Sequence, residues 1–166
     1  VEALGRVAHV YAPSTFHHRW VGEARLHAPA APAEKRRELR VDRTLGAAPE
    51  PAFAGVVDEL HVDGFRLDET VLVHRPSRTL VVADLVHHVG RPEGAWTRLY
   101  ARTMGSYDRV ALSRMLRWIA FSDRAAARKS VDAVLAQPFE RLVVAHGAPL
   151  PAGAHKALAA AYAWLS

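Results

Sequence analysis

Two short β-branched runs, each followed by a side chain that can bind a metal ion, constrain the fold of this chain most. The first is Thr-Leu-Val-Val-Ala at 79–83, followed by Asp84, and the second is Arg-Leu-Val-Val-Ala at 141–145, followed by His146. Many α/β folds place ligands in a crevice by ending a buried strand on a polar side chain. If both strands end at the same edge of one sheet, Asp84 and His146 lie together although 61 residues separate them. The pattern therefore predicts a ligand site at a sheet edge.

Predicted strands and helices alternate along the chain, which is typical of a single-domain, layered α/β fold over residues 1–166. Strands are predicted at residues 7–12, 25–28, 56–62, 70–74, 79–83 and 141–145. Helices are predicted at residues 96–118, 124–135 and 154–165, with Ser122-Asp123 capping the second. We expect residues 71–83 to form an antiparallel hairpin and residues 141–145 to form an interior strand.

The first residues are typical of an element that has already begun. Val1-Glu-Ala-Leu-Gly5 resembles the end of an amphipathic helix closed by glycine, and the chain lacks an initiator methionine. We therefore expect the natural gene product to extend upstream of Val1 and to supply strands that complete the first half of the fold.

Composition excludes several kinds of chemistry. The chain contains no cysteine, which removes disulfides, thiolate zinc sites and cysteine nucleophiles, so any metal is held by His, Asp or Glu. No G-x-S-x-G elbow and no phosphate-cradling glycine-rich loop is present. The absence of cysteine fits a reducing compartment, and we expect a cytoplasmic location.

Charge and hydropathy limit the expected partners. The formal charge is +5 and the pI is about 10.1, but the arginines are spread along the chain, and acids interrupt the densest cluster at 34–40. No nucleic-acid-binding module is recognisable, so no nucleic-acid partner is expected. No apolar run approaches the roughly 20 residues of a membrane span, so no membrane partner is expected either. The oligomeric state is left open.

Most of the ten histidines have no acidic or histidine neighbour at ligand spacing. We expect structural or surface roles for His9, His27, His61, His74 and His155. Two adjacent pairs differ, because His17-His18 follow a predicted strand and His87-His88 begin three residues after Asp84. Adjacent side chains on a regular element point to different sides, so a pair supplies two ligands only in a loop. The pattern favours His17-His18 over His87-His88 as site residues.

The order of these motifs resembles the metallo-β-lactamase superfamily. That superfamily has an αββα sandwich with a His-x-His-x-Asp-His loop, a later histidine, a bridging aspartate after a hairpin strand, and a final histidine before glycine. The chain is more closely similar to one branch of this superfamily, known as a domain of unknown function. Three segments carry that similarity: Ala-Pro-Ser-Thr-Phe-His-His at 12–18, residues 69–84, and Val-Val-Ala-His-Gly at 143–147. The resemblance covers nearly the whole chain and implies an αββα sandwich that lacks its N-terminal strands here.

The resemblance also implies a reduced ligand set. Laid over residues 13–18, the motif keeps only its last histidine, with Pro13 and Thr15 in place of two others and His17 in place of the aspartate. Asp84 and His146 fall on the bridging aspartate and the final histidine, and Glu69 is the nearest candidate for the intermediate one. The chain offers fewer ligands than a two-zinc centre uses, so its dinuclear site is not intact.

A mononuclear site is one function that this set implies. His17, His18, Asp84 and His146 would bind zinc or another divalent metal, and Asp84 or Glu69 would be the catalytic base in hydrolysis of a small ester, thioester or lactone. The alternative is a non-catalytic domain of the same fold, with a decayed metal site, used for binding or assembly. Both require His18, Asp84 and His146 to share one cleft, with His17 close by and Glu69 at its rim.

Overall fold

The computed structural model describes residues 6–14, 24–28, 41–46, 50–91 and 93–165. Within these ranges the strands are, in chain order, β1 His9–Tyr11, β2 Arg25–Ala28, β3 Arg43–Thr44, β4 Val57–His61, β5 Thr70–His74, β6 Thr79–Val82, β7 His87–His88, β8 Val110–Ala111 and β9 Arg141–Val144. The α-helices of the same described residues are α1 Ala95–Thr103, α2 Arg114–Ile119, α3 Arg124–Leu135 and α4 Ala154–Tyr162. A 3-10 helix covers Pro51–Phe53.

The larger sheet has the strand order β4-β5-β6-β9. Strands β4, β5 and β6 pair antiparallel, so the predicted hairpin is confirmed, and β9 runs parallel to β6. The expectation that residues 141–145 form an interior strand is wrong, because β9 lies at the end of this strand order among the described residues. The sequence predicted an interior strand because residues 141–145 form an apolar, β-branched run. In the structure Leu142 and Val144 are buried in the core on one face of the sheet, not by strands on both sides.

The main core lies between one face of this sheet and two helices. Alternate residues of β5, β6 and β9 point to that face, as the two-residue period of a strand requires. They pack in one cluster with apolar residues of α3 and α4: Val71, Val73, Leu80, Val82, Leu142, Val144, Ala127, Val131, Val134, Leu158 and Tyr162. Asp123 caps α3, since its side chain accepts hydrogen bonds from the backbone N–H groups of Ala125 and Ala126.

A smaller parallel sheet, β1-β2-β3, lies beside the larger one. Its own small core contains Ala12, Leu26 and Ala28. Arg43 on β3 ties it to β4 through a two-pronged contact with Glu59, with nitrogen–oxygen distances of 2.9 and 2.6 Å. The two sheets are therefore joined by a charged contact as well as by the chain.

The helix predicted at residues 96–118 is two helices. The chain leaves helical geometry after α1, turns through Gly105 with a positive φ of 74°, and forms β8 before α2 begins. Strand β8 pairs with β7, a partner more than 20 residues away in sequence. A helical period in the side chains does not reveal such a non-local pairing, which is why the prediction joined the two helices.

Candidate metal centre at the edge of the larger sheet

Parallel register brings Asp84 and His146 together. Val82 of β6 stands opposite Val144 of β9, and each of the two polar residues follows two positions later. His146 Nε2 lies 3.2 Å from Asp84 Oδ1. The Asp84 side chain is buried, whereas the His146 side chain is half exposed. The predicted convergence at one sheet edge is thus present in the structure.

His87 is a third member of this group. One ligand atom from each of Asp84, His87 and His146 lies within 4.8 Å of the other two, and the rings of His87 and His146 meet edge to face with centroids 4.9 Å apart. The sequence pattern favoured His17-His18 over His87-His88 as site residues. The signal that points to His87 is its position three residues beyond Asp84, where the chain continues along the same sheet edge.

The neighbouring His88 has a different environment. Its backbone N–H donates to the His146 carbonyl at 2.9 Å, and its carbonyl accepts from the Ala148 N–H at 3.0 Å. Its ring Nδ1 lies 2.7 Å from the Ala148 carbonyl oxygen, so Nδ1 carries the proton and donates. His88 therefore anchors the two loops to each other, while His87 faces the group.

Gly147 makes this close approach feasible. Its φ is 119°, a conformation that residues with a side chain rarely adopt. A Cβ atom at this position would lie 1.9 Å from the His88 carbonyl oxygen. The glycine after His146 is thus required by the contact between the two strand-end loops.

Ser14 is a site residue that the sequence did not single out. Its Oγ donates to Asp84 Oδ2 at 2.7 Å, and the residue is fully buried. The adjacent Pro13 carbonyl accepts from the Thr70 N–H at 2.9 Å, which fixes this turn against β5. Ser14 therefore orients the Asp84 carboxylate from the side of the smaller sheet. A polar turn directly after a predicted strand was the only available signal.

Glu69 lies beneath the site, and its predicted place at the rim is wrong. The residue is fully buried, and its two oxygens accept from the backbone N–H groups of Ala83 at 2.7 Å and Asp84 at 2.9 Å. Burial raises the pKa of Glu69 to about 8, although these hydrogen bonds act in the opposite direction. Its carboxyl group holds the end of β6 in position and does not reach solvent as a base for hydrolysis would.

A buried tyrosine supports the same loop from the helical side. The Tyr162 hydroxyl donates to the Leu85 carbonyl at 2.7 Å. Burial, followed by the nearby Glu69 carboxyl, keeps the pKa of Tyr162 well above its ordinary value, so the hydroxyl remains a donor. The predicted ligands His17 and His18 lie outside the described residues.

The donor set of Asp84, His87 and His146 fits a divalent metal ion. Two imidazoles and one carboxylate are the nitrogen and oxygen ligands of many catalytic zinc sites, which use three protein ligands and leave one position open. Two ligand atoms that each bind zinc at about 2.0–2.1 Å in a tetrahedral arrangement lie roughly 3.3 Å apart. The 3.2 Å between Asp84 and His146 agrees with this spacing. It is equally the length of a direct hydrogen bond.

A second group of possible ligands, His9, His27 and Glu50, is arranged differently. His27 Nδ1 lies 3.3 Å from Arg43 Nη1, which is always a donor, so this ring nitrogen accepts. His27 Nε2 then carries the proton and donates to His9 Nδ1 at 2.9 Å. Because the imidazole already donates through Nε2, this atom is not available to a cation, and the group is a structural hydrogen-bond network.

Known structures share this architecture. The metallo-β-lactamase from Hirschia baltica is similar with a TM-score of 0.59 at 13% identity, over 95% of this chain and 69% of that one. The DIM-1 metallo-β-lactamase gives 0.54 at 12% identity, over 94% and 69%. The enzyme from Pontibacter korlensis gives 0.52 at 14% identity, over 86% and 58%.

No protein-family model matches the sequence, and a comparison with curated proteins finds no match. Sequence identities this low carry the fold and nothing finer. The structure also has two main sheets, helices packed on the larger one, and an Asp–His pair at the ends of β6 and β9. This chain therefore has the metallo-β-lactamase fold.

Proposed function

We propose that this protein is a mononuclear, metal-dependent hydrolase of a small ester, thioester or lactone. The observation that carries the proposal is the convergence of Asp84, His87 and His146 at one edge of the larger sheet. The half-exposed His146 leaves the group open to a substrate from solvent. The absence of cysteine supports a reducing compartment, and the cytoplasm is the proposed location.

Each side chain has a distinct task in this proposal. Asp84, His87 and His146 would hold the ion, which would be zinc or another divalent metal. When bound, such an ion supplies Lewis-acid polarisation of a carbonyl oxygen and lowers the pKa of a water molecule toward neutrality. Two residues keep Asp84 in position. Ser14 donates a hydrogen bond to the Asp84 carboxylate, and Glu69 accepts one from the Asp84 backbone N–H.

His17 and His18 remain proposed ligands. They follow Ser14, which contacts Asp84, by only three and four residues. This nearness in sequence supports the proposal. They would raise the donor set toward five, which still falls short of the set that a two-metal centre uses.

A non-catalytic domain of the same fold is the second candidate, and one observation favours it. Ser14 and His146 already contact the two oxygens of Asp84 at hydrogen-bonding distance, so the carboxylate is satisfied by protein groups. In that case the site is a polar cleft kept by structural hydrogen bonds. Bound metal separates the two candidates better than any panel of substrates.

The test is elemental analysis of protein purified without chelators, followed by titration with Zn²⁺, Co²⁺ and Mn²⁺ in calorimetry. We expect about one ion per chain. His87→Gln and His146→Gln should each lose most of this binding. His155→Gln is the matched control, because His155 contacts the Leu135 carbonyl on another part of the molecule. Metal-free protein that also fails to bind added ions would support the non-catalytic domain.

Activity is then measured with model esters, thioesters and lactones. Loss of one ligand removes several kcal/mol of transition-state stabilisation, so His146→Gln should lower kcat/KM by roughly a hundredfold or more. His155→Gln should leave it unchanged. Equal rates for the two variants would contradict a role for the ion in catalysis.

A further inference from the structure

Two helices present apolar side chains to solvent. Trp96, Leu99 and Tyr100 on α1 and Met115, Trp118 and Ile119 on α2 are all exposed, and the two tryptophans are 84% and 80% exposed. These six residues are called the Trp96–Trp118 face. Scattered single apolar residues on a surface are ordinary, whereas two apolar stripes on consecutive helices are typical of an interaction site.

Helix geometry turns the α1 part of this face away from the protein. Ala101 is the only residue of α1 that is buried. Trp96, Leu99 and Tyr100 are spaced at i, i+3 and i+4, so they form one stripe on the side roughly opposite Ala101. Met115, Trp118 and Ile119 repeat the same spacing on α2. Among the described residues, nothing covers either stripe.

The two helices are attached to each other. The Arg114 N–H at the start of α2 donates to the Met104 carbonyl at 2.9 Å, and its guanidinium donates to the Thr103 carbonyl at 3.3 Å. Arg102 lies over the Tyr107 ring in the connection. The exposed aromatic side chains are therefore carried on one continuous, hydrogen-bonded unit.

Positive charge is concentrated in the same unit. Residues 91–124 contain seven arginines and three carboxylates, a net charge of +4 in a chain whose formal charge is +5. Arg91 and Asp108 neutralise each other as an ion pair, and Arg117 and Arg124 lie over the Trp164 ring. The unit that carries the Trp96–Trp118 face is therefore cationic overall, with Arg98 and Arg102 on exposed positions of α1.

We propose that the Trp96–Trp118 face docks on an anionic phospholipid bilayer, with α1 lying in the membrane interface. Tryptophan and tyrosine favour the interfacial region, and arginines near the surface are attracted to anionic headgroups. An exposed helix with an apolar stripe and arginines on its polar face is the sequence type that lies on membranes. This inference goes beyond the proposed hydrolase and does not depend on it.

Charge argues against a second copy of the chain as the occupant. Apposing two Trp96–Trp118 faces would bring two regions of net charge +4 together, whereas an anionic bilayer neutralises one. The expectation that the chain has no membrane partner rested on the absence of a spanning segment. In the described parts of the chain, no helix has the length and apolarity to cross a bilayer, and a surface helix needs neither.

The test is co-sedimentation with phosphatidylcholine vesicles, with and without phosphatidylglycerol. We expect binding to the anionic vesicles that is at least about tenfold tighter than to the neutral ones and that weakens with salt. Trp96→Ala combined with Trp118→Ala, and separately Arg98→Gln combined with Arg102→Gln, should each weaken it by about tenfold or more. Lys129→Gln combined with Lys156→Gln is the control, because it removes the same charge from exposed positions on α3 and α4.

Three results would overturn the proposal. The first is absence of binding to either kind of vesicle. The second is binding that the lysine control weakens as much as the arginine variant. The third is a dimer in sedimentation velocity that the double tryptophan variant dissociates, which would identify a second copy as the occupant. All four substituted tryptophan and arginine positions are exposed, so thermal unfolding should show that every variant is folded, with at most a small loss of stability where Arg102 leaves the Tyr107 ring.

Discussion

Single residues decide how closely the two strand ends approach each other. Gly147 has a positive φ, and a Cβ atom at this position would lie 1.9 Å from the His88 carbonyl oxygen. At Ser14 and Glu69, short polar contacts fix the side chain and the backbone of Asp84, respectively. The donor set thus depends on residues that bear no ligand atom themselves.

Gly147→Ala should therefore destabilise the protein by about 2–3 kcal/mol, because the new Cβ must push the His88 carbonyl aside in a strained backbone conformation. Gly153→Ala is the control: its φ is 72°, but a Cβ there meets nothing within 4 Å. Gly153→Ala should lower the free energy of unfolding by only about 1 kcal/mol, because alanine is less stable than glycine in this backbone conformation. Urea denaturation measures both, and equal losses would show that the contact with His88 is not important.

Ser14→Ala tests the support of the site without removing a ligand. Loss of a hydrogen bond that orients a ligating carboxylate typically lowers metal affinity by about 10- to 100-fold. We expect a reduction within this range in Zn²⁺ calorimetry, while Ser113→Ala, which removes the cap of α2, should leave affinity unchanged. If Ser14→Ala binds Zn²⁺ like the unsubstituted protein, Ser14 does not orient Asp84.

Elements whose contacts are local were predictable from the sequence. The hairpin of β5 and β6 and the helix α3 follow from apolar periodicity, a Pro-containing turn and a capping aspartate. Strand β8 was missed because it exists only through its pairing with β7. Glu69 was placed at the rim because a motif gives the order of residues and not their depth.

The site residues that end regular strands were predictable, whereas those in loops were not. Asp84 and His146 follow from two similar strand ends, since parallel strands share an edge. His87 and Ser14 depend on the paths of loops, which no periodicity encodes. His17 and His18 stay a prediction.

Asp123→Ala tests the element-level argument for α3. The side chain accepts from two N–H groups in the first turn, so its loss should lower the free energy of unfolding by about 1 kcal/mol. Asp132→Ala on the same helix is the matched control, because it removes the same charge from an exposed pair with Arg128. The control should have the smaller effect in urea denaturation; the reverse order would argue against capping by Asp123.

At the scale of the whole molecule, a polar network joins the smaller sheet to the larger one. His27 of β2 is fully buried, stacks on Tyr11, and is hydrogen-bonded to Arg43, which in turn binds Glu59 of β4. Burial, then the positive charge of Arg43 and the neighbouring His9, lowers the pKa of His27. Arg25 adds to this effect, and Glu50 opposes it.

This shift makes stability depend on pH. Because His27 takes up a proton more readily in the unfolded chain, its contribution is complete above about pH 6.5 and is lost as the pH falls toward its folded pKa. We expect the free energy of unfolding to decrease from pH 7 toward pH 5. His27→Gln should flatten this decrease, whereas His155→Gln should preserve it. Identical slopes in the two variants would assign the effect to other groups.

The position of β9 at the edge of its sheet has a kinetic consequence. Among the described residues, the outer side of β9 is held by a single bridge, between Leu142 and Leu150, and not by a neighbouring strand. Such a strand opens at a lower free energy than a central one, so its amides exchange with solvent earlier. His146 follows this strand, whereas Asp84 follows β6, which has a partner on each side. An ion bound by both Asp84 and His146 would link β9 to β6 and slow the opening of β9. Slower amide exchange confined to residues 141–148 would then report occupancy of the site without any substrate.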